Sequence, residues 1–207
     1  MPDYETALHY FDLYFTQVHP WVPVLSKPLF YHQWNTNRDA ISPLILEAVF
    51  AIGGRLADEP CQGAQWLALA SGKVWEVQVC AALIWNANLP VGHADAFMDV
   101  PRLSTLQALL ILIKAREAAP KKGYYFRSWM AIVQCVQMGK DLGLDEHHAD
   151  HQAGRGCDDS PVECQMKTRI WQTTFNLECM IGSPQGGKPQ HRTPTSPEAI
   201  VMVTRGC

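Results

Sequence analysis

The sequence predicts an all-α fold, an irregular bundle of several helices, on three observations. Apolar residues recur at i, i+3 and i+4 along most of the chain, the spacing of one face of an α-helix. Two patterns mark helix starts: a serine followed directly by proline, and a serine followed three positions later by glutamine or glutamate. The 207 residues are 47% hydrophobic and 18% charged, a composition that can build a packed core.

The first helix is predicted over residues 4–18, where the apolar side chains share one face. It ends at His19 and Pro20, because proline lacks an amide donor and restricts the residue before it. A second, short helix is predicted to start at residues 27–30, with Pro28 in its first turn.

The third helix is predicted to start at Ser42 and Pro43, with the serine side chain capping its first amides. Residues 44–52 are apolar nearly all round, which predicts a buried helix. We expect this helix to end near Gly53 and Gly54 or one turn later.

Three segments follow in the middle of the chain. Residues 65–70 are predicted to be helical, and residues 72–92 could continue that helix, although their valines and tryptophans also permit a strand. Ser104 and Gln107 fit a capping box that opens a helix to about residue 119. A turn is then predicted over residues 120–123.

The last two helices are predicted from one stop signal and one start signal. A helix over residues 124–142 is expected to stop at Gly143, since glycine tolerates a left-handed conformation. Residues 145–159 are predicted to form a polar loop. Ser160 and Glu163 fit a second capping box, with proline between them at the first helical position, and predict the start of the last helix.

The charge balance and the cysteine pattern exclude several classes of protein. Lys and Arg total 17 against 20 for Asp and Glu, a formal net charge of -3, whereas a domain that grips duplex DNA alone needs a basic surplus. The longest aliphatic run, residues 109–113, is far shorter than the roughly 20 residues of a membrane span. Acidic Asp3 and Glu5 argue against a signal peptide, and the seven scattered cysteines predict a reduced intracellular protein.

One segment carries candidate metal ligands. His147, His148 and His151 are followed by Cys157 and Cys164, and zinc prefers four nitrogen and sulfur ligands that converge tetrahedrally. Their spacing matches no common zinc motif. We therefore expect a solvated loop without metal, in which His147, His151, Cys157 and Cys164 are the candidates if a metal is bound after all.

No catalytic motif is found in the sequence, which lacks G-x-S-x-G, Walker A, G-x-G-x-x-G and H-E-x-x-H patterns. Because no base stands near a nucleophile, the sequence predicts that the chain is not an enzyme. Aromatic side chains at helical spacing are expected to be core, the alternative being the lining of a ligand pocket. These aromatic residues are Phe11, Tyr14, Phe15, Trp21, Phe30, Trp34, Trp129 and Trp171.

Several segments in a fixed order resemble the fungal-specific transcription factor domain. This domain is the regulatory middle homology region of binuclear zinc-cluster activators, including the xylanolytic-activator type. The segments that carry the resemblance are residues 10–15, 19–30, 42–48, 103–110, 127–130, 138–144 and 169–178. They include the His19-Pro20 turn and the Asp141-Leu142-Gly143-Leu144 ending of a helix.

The resemblance implies an all-α regulatory scaffold without catalytic residues. It implies a nuclear protein that activates metabolic genes, in which this domain answers to protein partners or a small effector and touches no membrane. In the family, DNA is contacted by a six-cysteine module that holds two zinc ions and precedes the domain. The cysteines of this chain are too dispersed to form it, so zinc and DNA contacts are implied only for a missing part, and no cofactor or DNA-binding residue is assigned here.

The resemblance also predicts how the chain is divided. Residues 1–182 are expected to be a partial regulatory domain, truncated at its C-terminal side, with residues 72–92 as an atypical insertion. Residues 183–207, rich in proline, glycine and threonine at their start, are expected to be a disordered tail. Helices left uncovered by the truncation would expose apolar stripes, so we expect self-association.

Two other functions stay open at this point. The chain could be a free-standing helical module that binds a ligand or a protein, or an enzyme or metalloprotein built on residues 147–164. A six-cysteine cluster in frame upstream would favour the regulatory domain, whereas stoichiometric zinc in the purified chain would favour a metalloprotein.

Overall fold

The computed structural model describes residues 1–71, 100–117 and 124–182, and every regular element in these ranges is helical, as predicted. The described α-helices are α1 (Tyr4–Leu13), α2 (Lys27–Thr36), α3 (Pro43–Leu56), α4 (Pro60–Ala70), α5 (Leu103–Glu117), α6 (Tyr124–Asp141), α7 (Leu144–Gln152) and α8 (Pro161–Gly182). A π-helical turn, Tyr14–Val18, continues α1, and a 3-10 turn, Arg38–Ala40, precedes α3.

Helix α3 lies at the centre of the fold and packs against α1, α4 and α5. Every residue from Leu44 to Gly54 is buried, because the sequence there is apolar nearly all round, with Glu47 as its one charged residue. The buried helix predicted over residues 44–52 is therefore confirmed, and it ends two residues after Gly54, at Leu56.

An aromatic cluster joins α1, α2 and α3. The Phe11 ring lies 4.9 Å from Phe30, 4.8 Å from Trp34 and 5.6 Å from Phe50, measured between ring centroids. The prediction that the aromatic residues form the core is confirmed for this cluster and wrong for Trp21, which is 80% exposed at the turn after α1. The other predicted core aromatics are buried or partly buried: Tyr14, Phe15, Trp129 and Trp171.

Glycines allow α3 to approach its neighbours closely. A Cβ atom on Gly54 would lie 2.8 Å from the backbone nitrogen of Gly63 in α4, and one on Gly53 would lie 2.5 Å from Cβ of Tyr10 in α1. Such distances are shorter than real Cβ contacts, so any larger residue would force the helices apart.

The C-terminal helices are arranged around α6, which packs against α5, α7 and α8. Gly143 adopts the left-handed conformation (φ 68°) just after α6, and its amide donates to the carbonyl of Lys140 at 2.9 Å. The glycine stop predicted for this helix is confirmed. Gly143 also precedes α7, and the amide of His147, four residues later, donates to the Gly143 carbonyl at 3.0 Å.

The predicted polar loop over residues 145–159 is wrong over its first half, which forms α7. The helix buries only Leu144, so its sequence lacks the apolar periodicity by which a helix is recognised. Asp145 and Glu146 in its first turn interact favourably with the positive end of the helix dipole, and α7 packs against both α6 and α8.

Of the three predicted serine caps, one has the expected side-chain bonds. Ser160 and Glu163 form the capping box, with the Ser160 amide donating to the carboxylate at 3.2 Å and the Glu163 amide donating to the serine hydroxyl at 3.3 Å. Ser42 precedes α3 as predicted but makes no capping bond. The box at Ser104 is wrong, because α5 already begins at Leu103 and the Gln107 side chain donates to the carbonyl of Val24 instead, at 2.6 Å.

Two helices are longer than the sequence predicts. Helix α2 continues to Thr36 because Trp34 packs one turn beyond Phe30 in the core, and α4 begins at Pro60 rather than at residue 65. The predictions for residues 72–92, 118–123 and 183–207 lie outside the described residues. The division of the chain into a partial domain, an insertion and a tail stays a prediction.

Candidate metal centre and adjoining groove

The candidate metal ligands lie on α7, on α8 and on the connection between them. His147 and His151 are four residues apart on one face of α7, Cys157 lies in the connection, and Cys164 lies on the first turn of α8. One ligand atom from each of the four side chains falls within 4.8 Å of every other. The structure thus brings together four of the five histidines and cysteines noted in the sequence.

His148 is the fifth candidate, and it lies outside this group. Its Nε2 atom is 3.0 Å from the side-chain nitrogen of Gln152, one turn further along α7. The difference follows from helix geometry, since adjacent residues point about 100° apart around an α-helix.

Contacts within the group are short. The Nε2 atom of His151 lies 3.3 Å from the sulfur of Cys164, and the rings of His147 and His151 have centroids 4.6 Å apart. Cys164 is 5% exposed, whereas Cys157 is exposed on the connection. The group therefore has a buried side against α8 and a solvent side at Cys157.

Both ring nitrogens of His147 are buried and have no hydrogen-bond partner among the described residues. The nearest carboxylate oxygen, Oδ2 of Asp159, lies 3.5 Å from Nε2. That carboxylate is already bound by the Lys167 ammonium at 2.6 and 2.7 Å. An imidazole with neither nitrogen hydrogen-bonded is costly to bury, so the site contains an unexplained polar side chain.

Burial is the main reason that the pKa of His147 lies below its usual range, and the neighbouring His151 and Lys167 lower it further. The carboxylates of Asp159 and Asp150 act in the opposite direction. A lowered pKa keeps the imidazole neutral near pH 7, and the neutral form is the one that binds metals. The pKa of Asp159 is also lowered, chiefly by its hydrogen bond from Lys167.

Local hydrogen bonds hold the connection that carries Cys157. Gly154 adopts a left-handed conformation (φ 75°), and the amide of Arg155 donates to the carbonyl of Asp150 at 2.9 Å. The Arg155 guanidinium also binds the Asp150 carboxylate. The capping box at Ser160 then sets the start of α8, and with it the position of Cys164.

A groove of about 550 Å³ adjoins this region, between α2, α5 and α8. Its lining combines apolar side chains such as Phe30 and Met166 with charged ones, including Arg102, Asp159 and Lys167. Asp159 and Lys167 thus face both the groove and the histidine–cysteine group. The sequence did not single out these two residues, since an Asp and a Lys eight positions apart carry no motif.

The fold defines the class of protein: an all-α domain with a buried central helix and a mixed polar and apolar groove. None of the described helices is long and apolar enough to cross a lipid bilayer. The family model of the fungal specific transcription factor domain matches residues 11–191, and the chain belongs to this family. The resemblance drawn from the sequence is confirmed.

A curated relative supports the same family. The chain is 27% identical over 183 residues to "Cutinase transcription factor 1 alpha" of Fusarium vanettenii, an alignment that covers 87% of this chain. The chain spans only 18% of the length of that relative. No solved structure matches the chain.

Proposed function

We propose that the chain is the regulatory domain of a zinc-cluster transcription factor that controls metabolic genes in the nucleus. The family match over residues 11–191 carries this proposal. The relative named as a cutinase transcription factor, of which the aligned region is 18%, supports a setting in a larger polypeptide. In that setting a separate six-cysteine module would hold the zinc ions and contact DNA.

The charge of the chain supports a role away from DNA. Its formal net charge is -3, whereas direct phosphate binding needs clustered Lys and Arg side chains. In this proposal the domain is not an enzyme and acts by contact with a protein partner or a small effector. The groove between α2, α5 and α8 is large enough for a small effector, and the charged side chains in its lining can orient a ligand.

A reporter assay tests the proposal. The 207-residue chain is fused to a heterologous DNA-binding module in a fungal cell, and reporter output is compared with that of the module alone. We expect output to change severalfold with the intact chain and to return to the baseline with a Phe11→Ala variant, because Phe11 is central to the core. A gel-shift assay with the chain alone is expected to show no DNA binding near physiological salt.

The alternative is a free-standing module that binds a ligand. The groove is the observation that supports it. Transcript sequencing separates the two functions. An in-frame six-cysteine cluster upstream supports the regulatory domain, and a complete transcript without one, together with an inert fusion, would overturn it.

A further inference from the structure

We propose that His147, His151, Cys157 and Cys164 bind one zinc ion that joins α7 to α8. This site is separate from the zinc-cluster module of the proposed function, which precedes the domain and consists of cysteines alone. The proposal therefore stands or falls independently of the regulatory role.

The ligand set matches the chemistry of structural zinc. Two imidazole nitrogens and two thiolate sulfurs form a Cys₂His₂ set, and two thiolates neutralise the charge of Zn²⁺. Four protein ligands leave no open position for water or substrate, so the ion would have a structural and not a catalytic role.

The distances are close to those of a tetrahedral site. With zinc–sulfur bonds of about 2.3 Å and zinc–nitrogen bonds of about 2.0 Å, neighbouring ligand atoms lie roughly 3.3–3.8 Å apart. The His151 Nε2 to Cys164 sulfur distance of 3.3 Å already falls in this range, and no pair exceeds 4.8 Å. Cys157 lies on an exposed connection, so a small side-chain rotation there can close the remaining gap.

His147 supplies the second, independent observation. Its two ring nitrogens are buried without a hydrogen-bond partner among the described residues. Coordination of one nitrogen to zinc would satisfy it, and the other would face the Asp159 carboxylate, the usual outer partner of a metal-bound histidine. A zinc ion thus explains a side chain that would otherwise be destabilising.

The proposal also explains how α7 is held in place. This helix has nine residues and buries only Leu144, and helices of that length are marginal on their own. Ligands at two positions of α7 and one of α8 would fix the angle between the helices. Because structural zinc sites contribute directly to folding, removal of the ion should loosen α7 first.

The test measures zinc in the full chain, purified under a thiol reductant. We expect one zinc per chain by elemental analysis, and for the cobalt-substituted protein the absorption bands of tetrahedral thiolate coordination. The Cys157→Ser and His151→Ala variants should each bind zinc at least about 100-fold more weakly in competition with a chromogenic chelator. Cys157 is exposed, so its substitution leaves the core unchanged.

Matched controls are available on other helices. Cys61→Ser on α4 and His32→Ala on α2 remove one residue of each ligand type outside the four proposed ligands, and we expect both to keep the zinc content of the unmodified chain. Zinc content near zero in the reduced chain would overturn the proposal. Equal zinc binding by the Cys157→Ser variant and the controls would also overturn it.

Discussion

The N-terminal helices and the α7–α8 pair are stabilised in different ways. In α1, α2 and α3 the contacts are mainly apolar: the Phe11 ring meets Phe30 and Trp34 edge to face and stacks on Phe50, and the central helix α3 is buried. Helix α7 buries a single leucine, packs on α6 and α8, and makes polar contacts from Asp150 to Arg155 and from His147 to Asp159. Apolar burial changes little with pH or metal, whereas polar contacts depend on both. We therefore expect the two regions to respond differently to the same perturbation.

The largest expected effect comes from the aromatic cluster. Phe11→Ala removes a fully buried ring that contacts four other rings, and we expect a loss of about 3–5 kcal/mol in the free energy of unfolding. Urea unfolding followed by circular dichroism measures it. The matched control is Phe126→Ala, because Phe126 is exposed; equal losses for the two variants would contradict the cluster's central role.

The second perturbation acts on the close approach of α3 and α4. Gly54→Ala places a Cβ atom 2.8 Å from the backbone of Gly63, and a backbone cannot rotate away as a side chain can. We expect a loss of about 1–3 kcal/mol in the free energy of unfolding. Gly156→Ala is the control, since a Cβ there meets nothing within 4 Å, and it should stay within about 0.5 kcal/mol of the unmodified chain.

The third perturbation acts on the α7–α8 pair. Ser160→Ala removes the capping box and should cost about 1 kcal/mol, with faster hydrogen exchange at the first turn of α8. Ser26→Ala is the matched control, because Ser26 precedes α2 without making a capping hydrogen bond. If exchange instead increased throughout α1, the two regions would not be energetically distinct.

The smallest expected effect is a pH dependence at the turn after α1. Burial is the main reason that the pKa of His19 lies below its usual 6.5. The hydrogen bond from Nε2 to the Leu25 carbonyl, at 2.7 Å, acts in the opposite direction, and the positive charges of Arg169 and Lys27 lower the pKa further. The folded state disfavours the charged imidazolium, so the neutral His19 ring contributes its full stabilisation above pH 6.5, the pKa of the unfolded chain. This stabilisation is lost as the pH falls from 6.5 to the lower pKa that His19 has in the folded chain.

A His19→Gln variant keeps a side-chain donor but cannot titrate. Its melting temperature should therefore fall less than that of the unmodified chain between about pH 7.5 and 5.5. Identical pH profiles for the two proteins would show that His19 does not titrate in this range.

Most of the fold was predictable because its signals are local. The apolar run after Pro43 lies within a single helix, the left-handed Gly143 and the Ser160 box each act at one helix end, and the structure confirms all three. The start of α5 could not be predicted in this way. Gln107 has the residue type and spacing of a cap, yet its side chain binds Val24, which is 83 residues away in the chain.

The candidate metal centre was predictable in composition and not in geometry. The residue types were evident in the sequence, but their convergence depends on α7 being a helix, which places His147 and His151 on one face. It also depends on the docking of α7 against α8, which brings in Cys164. An unpatterned polar segment carries neither piece of information.

The contact between Gly54 and Gly63 has a further consequence for how an effector could move the domain. Where two backbones touch there is room for glycine and not for a side chain, so translation of α3 that carries Arg55 to the crossing point would place a Cβ atom against Gly63. The contact therefore opposes sliding of α3 past α4 in that direction, the small shear motion by which many packed helices rearrange. We expect a conformational signal that reaches this pair to meet less resistance when it moves α3 and α4 together.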